Sequence, residues 1–312
     1  MAKKLAYRIR NWPEYNKSLV KRGSLTVWFD KESLENWHNI EQEGLRGRPK
    51  QYADAAIICM LTLKVVFTMP LRARQGFVES LIGLLELPIK AANYTTVCRR
   101  QKALEIPLKK FKSGESLHAV FDSTGLKVFG EGEWKVRQHG YTKRRTWRKL
   151  HLGIDEATGE IIASVLSTND MHDSEVFPDL VNQIEETINQ ASADKAYDSF
   201  ANYDLLEKLG AKVTIPPREK AKIRQHGNSA KTPLLRDENI RQIRKLGKKT
   251  WKNENGYHRR SIAENAMFRF KKILGDDLKS ILFENQCVEA FIKCNVLNSM
   301  TNLGMPMSYA IA

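Results

Sequence analysis

Cysteine is scarce in this chain of 312 residues. There are four, Cys59, Cys98, Cys287 and Cys294, and no two are spaced as CxxC. Without that spacing or a closely spaced pair of histidines a zinc finger is not expected, and thiols set in apolar helical patterns read as ordinary buried groups of a reducing compartment. Long apolar runs are missing as well. The longest, AAIICMLTLKVVFTM at 55–69, is interrupted by Lys64 and falls short of the roughly 20 residues a bilayer crossing takes. It reads as a buried helix, and no membrane partner is expected. No hydrophobic segment follows the basic opening MAKKLAYRIR, so the chain is expected to remain in the cytoplasm. Internal repeats and low-complexity tracts are absent too, which excludes fibrous and mucin-like classes.

Negative charge is in deficit: 36 Asp and Glu stand against 51 Lys and Arg, a formal net charge of +15. Hydrophobic residues still make up 42%, enough to bury a core. Such an excess favours a polyanionic partner. It is also concentrated. Trp134 to Ile154 holds seven basic residues and no acid, and Lys212 to Arg260 holds fifteen basic residues against four acids. The two blocks together exceed the net charge of the whole chain, so the remainder is slightly acidic. Aromatic side chains are interleaved in both: Trp134, Tyr141 and Trp147 in the first, Trp251 and Tyr257 in the second. Cations with aromatic rings among them suit phosphates and unpaired bases.

Residues 1–49 read as a basic N-terminal arm and linker that ends in RGRPK, where Arg46 and Arg48 flank a glycine as in a minor-groove arm. Residues 50–110 read as a small all-α unit. Two helices, 51–69 and 71–87, are separated at Pro70, and Asn93 or Thr95 caps a third that carries Arg99 and Arg100. This order suits a helix-turn-helix DNA-binding domain. LKKFKSGES at 108–116 is the natural boundary. Beyond it the pattern alternates: strands at 117–128, 146–155 and 160–168, a helix at 174–190, a strand at 191–197, a helix at 200–210 and a strand at 211–217. Then come the basic stretch at about 218–256, read as a long irregular insertion, a helix at 261–274 and a last helix at about 287–303. The element order predicts an α/β domain over 115–305, a ribonuclease H-like mixed five-stranded sheet with flanking helices.

Three acids stand out. Asp122 interrupts the first strand, Asp194 ends the fourth, and Glu264 lies on the late helix. In a sheet of that order the first and fourth strands are neighbours, so the two aspartates meet. Paired carboxylates repel unless a cation neutralises them. Two Mg²⁺ ions about 3.5–4 Å apart, with Glu264 completing the second site, solve this and suit phosphodiester chemistry. On the late helix Ile262, Ala266, Phe270 and Ile273 form an apolar stripe. At 100° per residue, Tyr257, Arg260, Glu264 and Lys271 share an arc of about 60° on the other side. A duller reading makes SIAE at 261–264 a capping box with Glu264 at its third position. His151, His172 and His258 lack the pairing of a helical metal site and read as structural or phosphate-adjacent.

The string Tyr257-x2-Arg260-x3-Glu264-x6-Lys271 resembles, without a gap, the signature of bacterial DDE-type insertion-sequence transposases. FDSTGLKV around Asp122, KLHLGID at 149–155 and ADKAYDS around Asp194 are similar to motifs of the insertion sequence five family. The resemblance implies Asp122, Asp194 and Glu264 as a catalytic, metal-binding triad holding two Mg²⁺ ions, with Mn²⁺ substituting. It also implies Tyr257, Arg260 and Lys271 as DNA contacts near the scissile phosphate. The expected partners are double-stranded DNA, as terminal inverted repeats and target, and a second copy of the chain; the expected location is the bacterial cytoplasm, at the nucleoid. A ribonuclease H-like nuclease or resolvase without strand transfer, and a non-enzymatic DNA-binding regulator, are the rival readings.

Overall fold

The computed structural model describes residues 6–29, 31–38, 50–111, 116–128, 146–226 and 232–311. Two compact units emerge, one formed by Met1–Phe111 with Leu282–Ala312 and the other by Lys112–Ile281.

The first unit opens with strand β1 (Ala6–Ile9) and helix α1 (Trp12–Lys21), followed by the short helices α2 (Leu25–Trp28) and α3 (Lys31–Glu35). The arm expected over 1–49 is therefore folded through much of its length. Residues 39–49, with Arg46 and Arg48, lie outside the described residues. Helices α4 (Asp54–Val66), α5 (Leu71–Leu84) and α6 (Tyr94–Gln101) follow. They pack on one another through Ile57, Met60, Leu63, Val78, Ile82 and Val97, all buried. Pro70 immediately precedes α5, where its missing N–H costs nothing. Asn93 caps α6, its Oδ1 accepting from the Thr95 N–H at 2.9 Å. Among the described residues no single helix is long and apolar enough to cross a membrane.

The second unit is a mixed sheet. β2 (Ser116–Val128), β3 (Trp147–Asp155) and β4 (Ile161–Thr168) form an antiparallel meander. Helix α7 (Asp173–Val181) leads to β5 (Thr187–Ala193), α8 (Phe200–Lys208) and β6 (Lys212–Thr214). The sheet order is β4-β3-β2-β5-β6, with β5 parallel to β2 and β6 parallel to β5. One face is covered by α7 and α8, where Phe121, Phe177, Leu180, Tyr203 and Leu206 join one core. Gly153 belongs there for a steric reason: a Cβ at that position would stand 3.0 Å from the Phe121 ring.

The helix expected over 174–190 ends at Val181, and the fourth strand begins earlier than expected. Ile188 continues the helical spacing, but its neighbour Thr187 is β-branched too, and pairing with Leu117 on the central strand buries Ile188. The basic stretch, expected to be irregular, contains α9 (Leu235–Leu246) and α10 (Lys248–Glu254). Gly256, at φ +65°, lets the chain leave α10 and enter a 3₁₀ turn at Tyr257–Arg260. That turn runs into α11 (Ser261–Leu274). This helix covers the other face of the sheet through Ala263, Ala266, Met267 and Phe270. Ile273, expected in the apolar stripe, is instead exposed. A two-residue strand, β7 (Asp277–Leu278), pairs with the far end of β2.

The chain then returns to the first unit with α12 (Phe283–Leu303) and β8 (Ser308–Ile311). The sequence reading groups residues 282–305 with the sheet. In the structure α12 packs on α4, and β8 pairs antiparallel with β1, Ala6 opposite Ile311. The reason is tertiary: α12 buries side chains along its whole length, so its pattern marks a core helix without naming which core.

Candidate active site

The second unit brings the two aspartates together through strand register. Phe121 of β2 pairs with Ala193 of β5, and the ladder ends there. Asp122 is the next residue of β2, and Asp194 is the first residue beyond β5. Side chains alternate across a sheet, so with Phe121 in the α7–α8 core, Asp122 belongs to the face that α11 covers. Asp194 stands one residue past its strand rather than on it. It caps the short turn Lys195–Tyr197, its Oδ1 accepting from the Ala196 N–H at 2.8 Å.

Arg260 ties the third acid to the first. Its Nη1 donates to Asp122 Oδ2 at 2.8 Å, and its Nη2 pairs with Glu264 one helical turn on. Glu264 is thus engaged with Arg260 and not in the capping box considered above. The Tyr257 ring lies 5.8 Å from the same guanidinium. The Lys271 charge acts on Asp276, whose carboxylate pairs with Lys127.

The electrostatics of the site are set by burial first and by the clustered carboxylates second. Burial pushes the Asp122 carboxyl pKa up, and the charges of Asp194 and Glu264 push the same way, against the Ser123 N–H and Arg260. Burial works against the Arg260 charge, but Asp122, Tyr257, Glu264 and Asp194 more than offset it and its pKa is raised. Burial likewise raises the Tyr257 phenol. An all-oxygen, anionic donor set of this kind fits a hard divalent cation. Among the described residues no three acidic, His or Cys groups are already gathered closely enough to hold an ion, and it is the Arg260 guanidinium that bridges Asp122 and Glu264. The acids fit the metal by chemistry; in this arrangement the guanidinium supplies the positive charge.

Beside Asp194 opens a cleft of about 610 Å³, lined among others by Lys149, Asp173, Lys195, Arg218 and Lys220. Sequence reasoning missed its members as a group. Asp173 looks like any acid in the first turn of a helix, and Lys195, Arg218 and Lys220 are separated along the chain. Two further elements hold the basic stretch in place. Arg236 grips Asp198 through Nε and Nη2, at 2.6 and 2.8 Å, and Gln190 of β5 donates to the Asn255 carbonyl at 2.9 Å just before the turn that carries Arg260.

Other residues singled out in the sequence separate clearly. Trp251 is fully buried, so it is a core residue and no stacking platform for a base; Trp147 is partly exposed. Trp134 and Tyr141 lie outside the described residues. Arg100 is bound to the Tyr52 carbonyl and to Asp54, which anchors α6, and Arg99 is exposed. His151 is buried with Nε2 2.8 Å from Ser167 Oγ, and His258 lies 2.7 Å from Asn253 Oδ1.

Two family models described as "Transposase DDE domain" match this chain, one over residues 20–131 and the other over 113–299. Among solved structures, the cryo-EM structure of the piggyBac transposase synaptic complex with hairpin DNA superposes with a TM-score of 0.41 at 10% identity, covering 90% of this chain and 73% of that one. The second family model alone spans more than half of the sequence, and the protein is accordingly an enzyme of the DDE transposase family.

Proposed function

We propose that this chain is an insertion-sequence transposase of the insertion sequence five family, with a ribonuclease H-like catalytic domain in the second unit. Its helix-turn-helix region, α4–α6, binds the terminal inverted repeats of the element, with exposed Arg99 and the Arg46–Arg48 segment as DNA contacts. The observation that carries the reading is the convergence on Arg260 of Asp122 and Glu264, with Asp194 at the end of the neighbouring strand.

Asp122, Asp194 and Glu264 would hold two Mg²⁺ ions, with Mn²⁺ an acceptable substitute. Held there, the ions would supply charge neutralisation at the scissile phosphate and activation of water or a DNA hydroxyl. The protein's own groups do the rest. Once its carboxylates are satisfied by another cation, the Arg260 fork is released to grip a phosphate. Tyr257 lies close to that guanidinium. Lys149, Lys195, Arg218 and Lys220 give the cleft beside Asp194 a cationic lining that suits a DNA backbone. Lys271 joins them as a contact further along the strand.

Hydrolysis of the element's end leaves a 3′-hydroxyl. Attack of that hydroxyl on a target phosphodiester is the same displacement with a different nucleophile, so one site serves both steps and no covalent enzyme–DNA bond is required. Joining two ends calls for at least two protomers on DNA. Acting on DNA in this way would place the enzyme in the cytoplasm, at the nucleoid.

The test is Asp122→Asn assayed on a duplex carrying the terminal repeat. Cleavage and strand transfer should fall by more than the roughly 10–100-fold that changes around a metal's outer shell produce, while binding to the repeat is retained. Cleavage that survives Asp122→Asn, or that proceeds in excess chelator, refutes the assignment. Cleavage without joining of the released end to target DNA favours a nuclease.

A further inference from the structure

We propose that Asp173 is a positioning residue for Asp122, acting across the sheet through Ser123. The inference rests on the triad reading above and extends it to a carboxylate on the opposite face.

The need for such a support follows from the strand register. β2 is paired with β5 only as far as Phe121, and β7 takes up that edge again only at Lys127. Between them, from Asp122 to Leu126, β2 has a strand neighbour on the β3 side alone among the described residues. Among the described residues, the proposed metal ligand thus begins a stretch of the central strand that has no strand neighbour on that edge. In its carboxylate, Oδ1 accepts the N–H of Ser123 at 2.9 Å, while Oδ2 is held by Arg260. The orientation of Asp122 is therefore tied to the backbone at Ser123.

Ser123 is fixed from the other side. Its hydroxyl points to the face opposite Asp122 and donates to Asp173 Oδ2 at 3.0 Å. Asp173 is the first residue of α7, where the helix N-terminus favours a negative charge. Its other oxygen accepts from Lys149 Nζ at 3.0 Å, and Lys149 also donates to the Met171 carbonyl just before the helix. Lys149 is opposite Gly125 in the β2–β3 ladder. One carboxylate thereby clamps the start of α7, β2 at Ser123 and β3 at Lys149, around the segment that presents Asp122. His151, opposite Ser123, brings Nδ1 to 3.8 Å from the same carboxylate. An interaction that orients a metal ligand from behind changes metal affinity by about 10–100-fold when it is removed.

The experiment measures binding of Mn²⁺ alone to the full chain, by the electron paramagnetic resonance signal of the free ion, with thermal unfolding followed in parallel. Asp173→Ala and Ser123→Ala are each expected to weaken binding about tenfold or more. The double variant should be no weaker than Asp173→Ala, because both changes cut the same relay. Asp173→Asn should bind better than Asp173→Ala, since its amide oxygen still accepts from Ser123. Unchanged binding in Asp173→Ala, losses that multiply in the double variant, or equal losses in the Asn and Ala variants overturn the proposal. If Asp173→Ala does not fold, Ser123→Ala decides: weakened binding upholds the relay and wild-type binding overturns it. Asp122→Asn is the reference. Should it bind Mn²⁺ as the wild type does, the triad reading fails and this proposal with it; should it alone lose binding, only the relay fails.

Discussion

The ion pair between Asp198 and Arg236 offers the sharpest energetic test of how the site is built. Asp198 stands four residues beyond Asp194 with its side chain wholly buried, and Arg236 is a tenth exposed. Two parallel hydrogen bonds join them, at 2.6 and 2.8 Å. Asp198 Oδ2 also accepts the Arg218 N–H at 2.8 Å, and the Phe200 ring lies 4.6 Å from the Arg236 guanidinium. Removing one member strands a buried charge, which costs about 3–5 kcal/mol. For a domain whose total stability is of the order of 5–15 kcal/mol, that is a large share. Asp198→Ala and Arg236→Ala should each lower the urea midpoint accordingly. Replacing both by apolar residues of similar volume, Asp198→Leu with Arg236→Met, should cost much less than the two single changes together. Equilibrium urea unfolding, followed by circular dichroism and tryptophan fluorescence, reads each value. A cost below about 1 kcal/mol for Asp198→Ala, or strictly additive single changes, would show that the pair behaves as a solvated surface contact and that the reasoning from burial is wrong.

Two further outcomes follow from buried charge elsewhere. Arg74 of α5 is fully buried, its three side-chain nitrogens meet no hydrogen-bond partner among the described residues, and burial lowers its pKa to about 10. Arg74→Met should therefore raise the urea midpoint, by a gain of about 1–4 kcal/mol; a loss of stability would refute the reasoning. Burial holds the His151 imidazole down to about 4 from 6.5, against a smaller opposing pull from Asp173. Folding thus favours its neutral form, so its contribution is fully present above pH 6.5 and is lost as pH falls from 6.5 towards 4, about 3 kcal/mol in all. His151→Asn should remove that part of the pH dependence, measured as the difference from wild type in urea unfolding at pH 7.5 and 4.5; parallel profiles for the two proteins would refute it.

Much of the catalytic unit was legible because its signals are local. The strands over 116–128, 147–155 and 161–168 alternate or run apolar within a few residues of the expected bounds. The helix that carries Glu264 starts and stops at Ser261 and Leu274 as read, since Gly275, at φ +86°, closes it. What failed, failed where the deciding contact is distant. Ile184 and Ile188 have helical spacing, yet Ile188 belongs to a strand because Leu117 pairs with it. Trp251 sits among cations in the sequence and is buried in the fold. Arg100, expected as a DNA contact, pairs with Asp54, a partner 46 residues away that its place on α6 did not announce.

The amino-acid sequence by itself determined the candidate acids, the face on which Arg260 meets Glu264, and the cationic blocks, because each depends on residue type and on spacings of one or two turns. Only the tertiary structure decided that β1 closes with β8 some 300 residues away, that α12 packs on α4, and that Asp173 accepts from the Ser123 hydroxyl. Those pairings join segments whose local patterns are compatible with many partners. The choice among them is made by the burial and hydrogen bonding of the whole chain at once, which no short window of sequence contains.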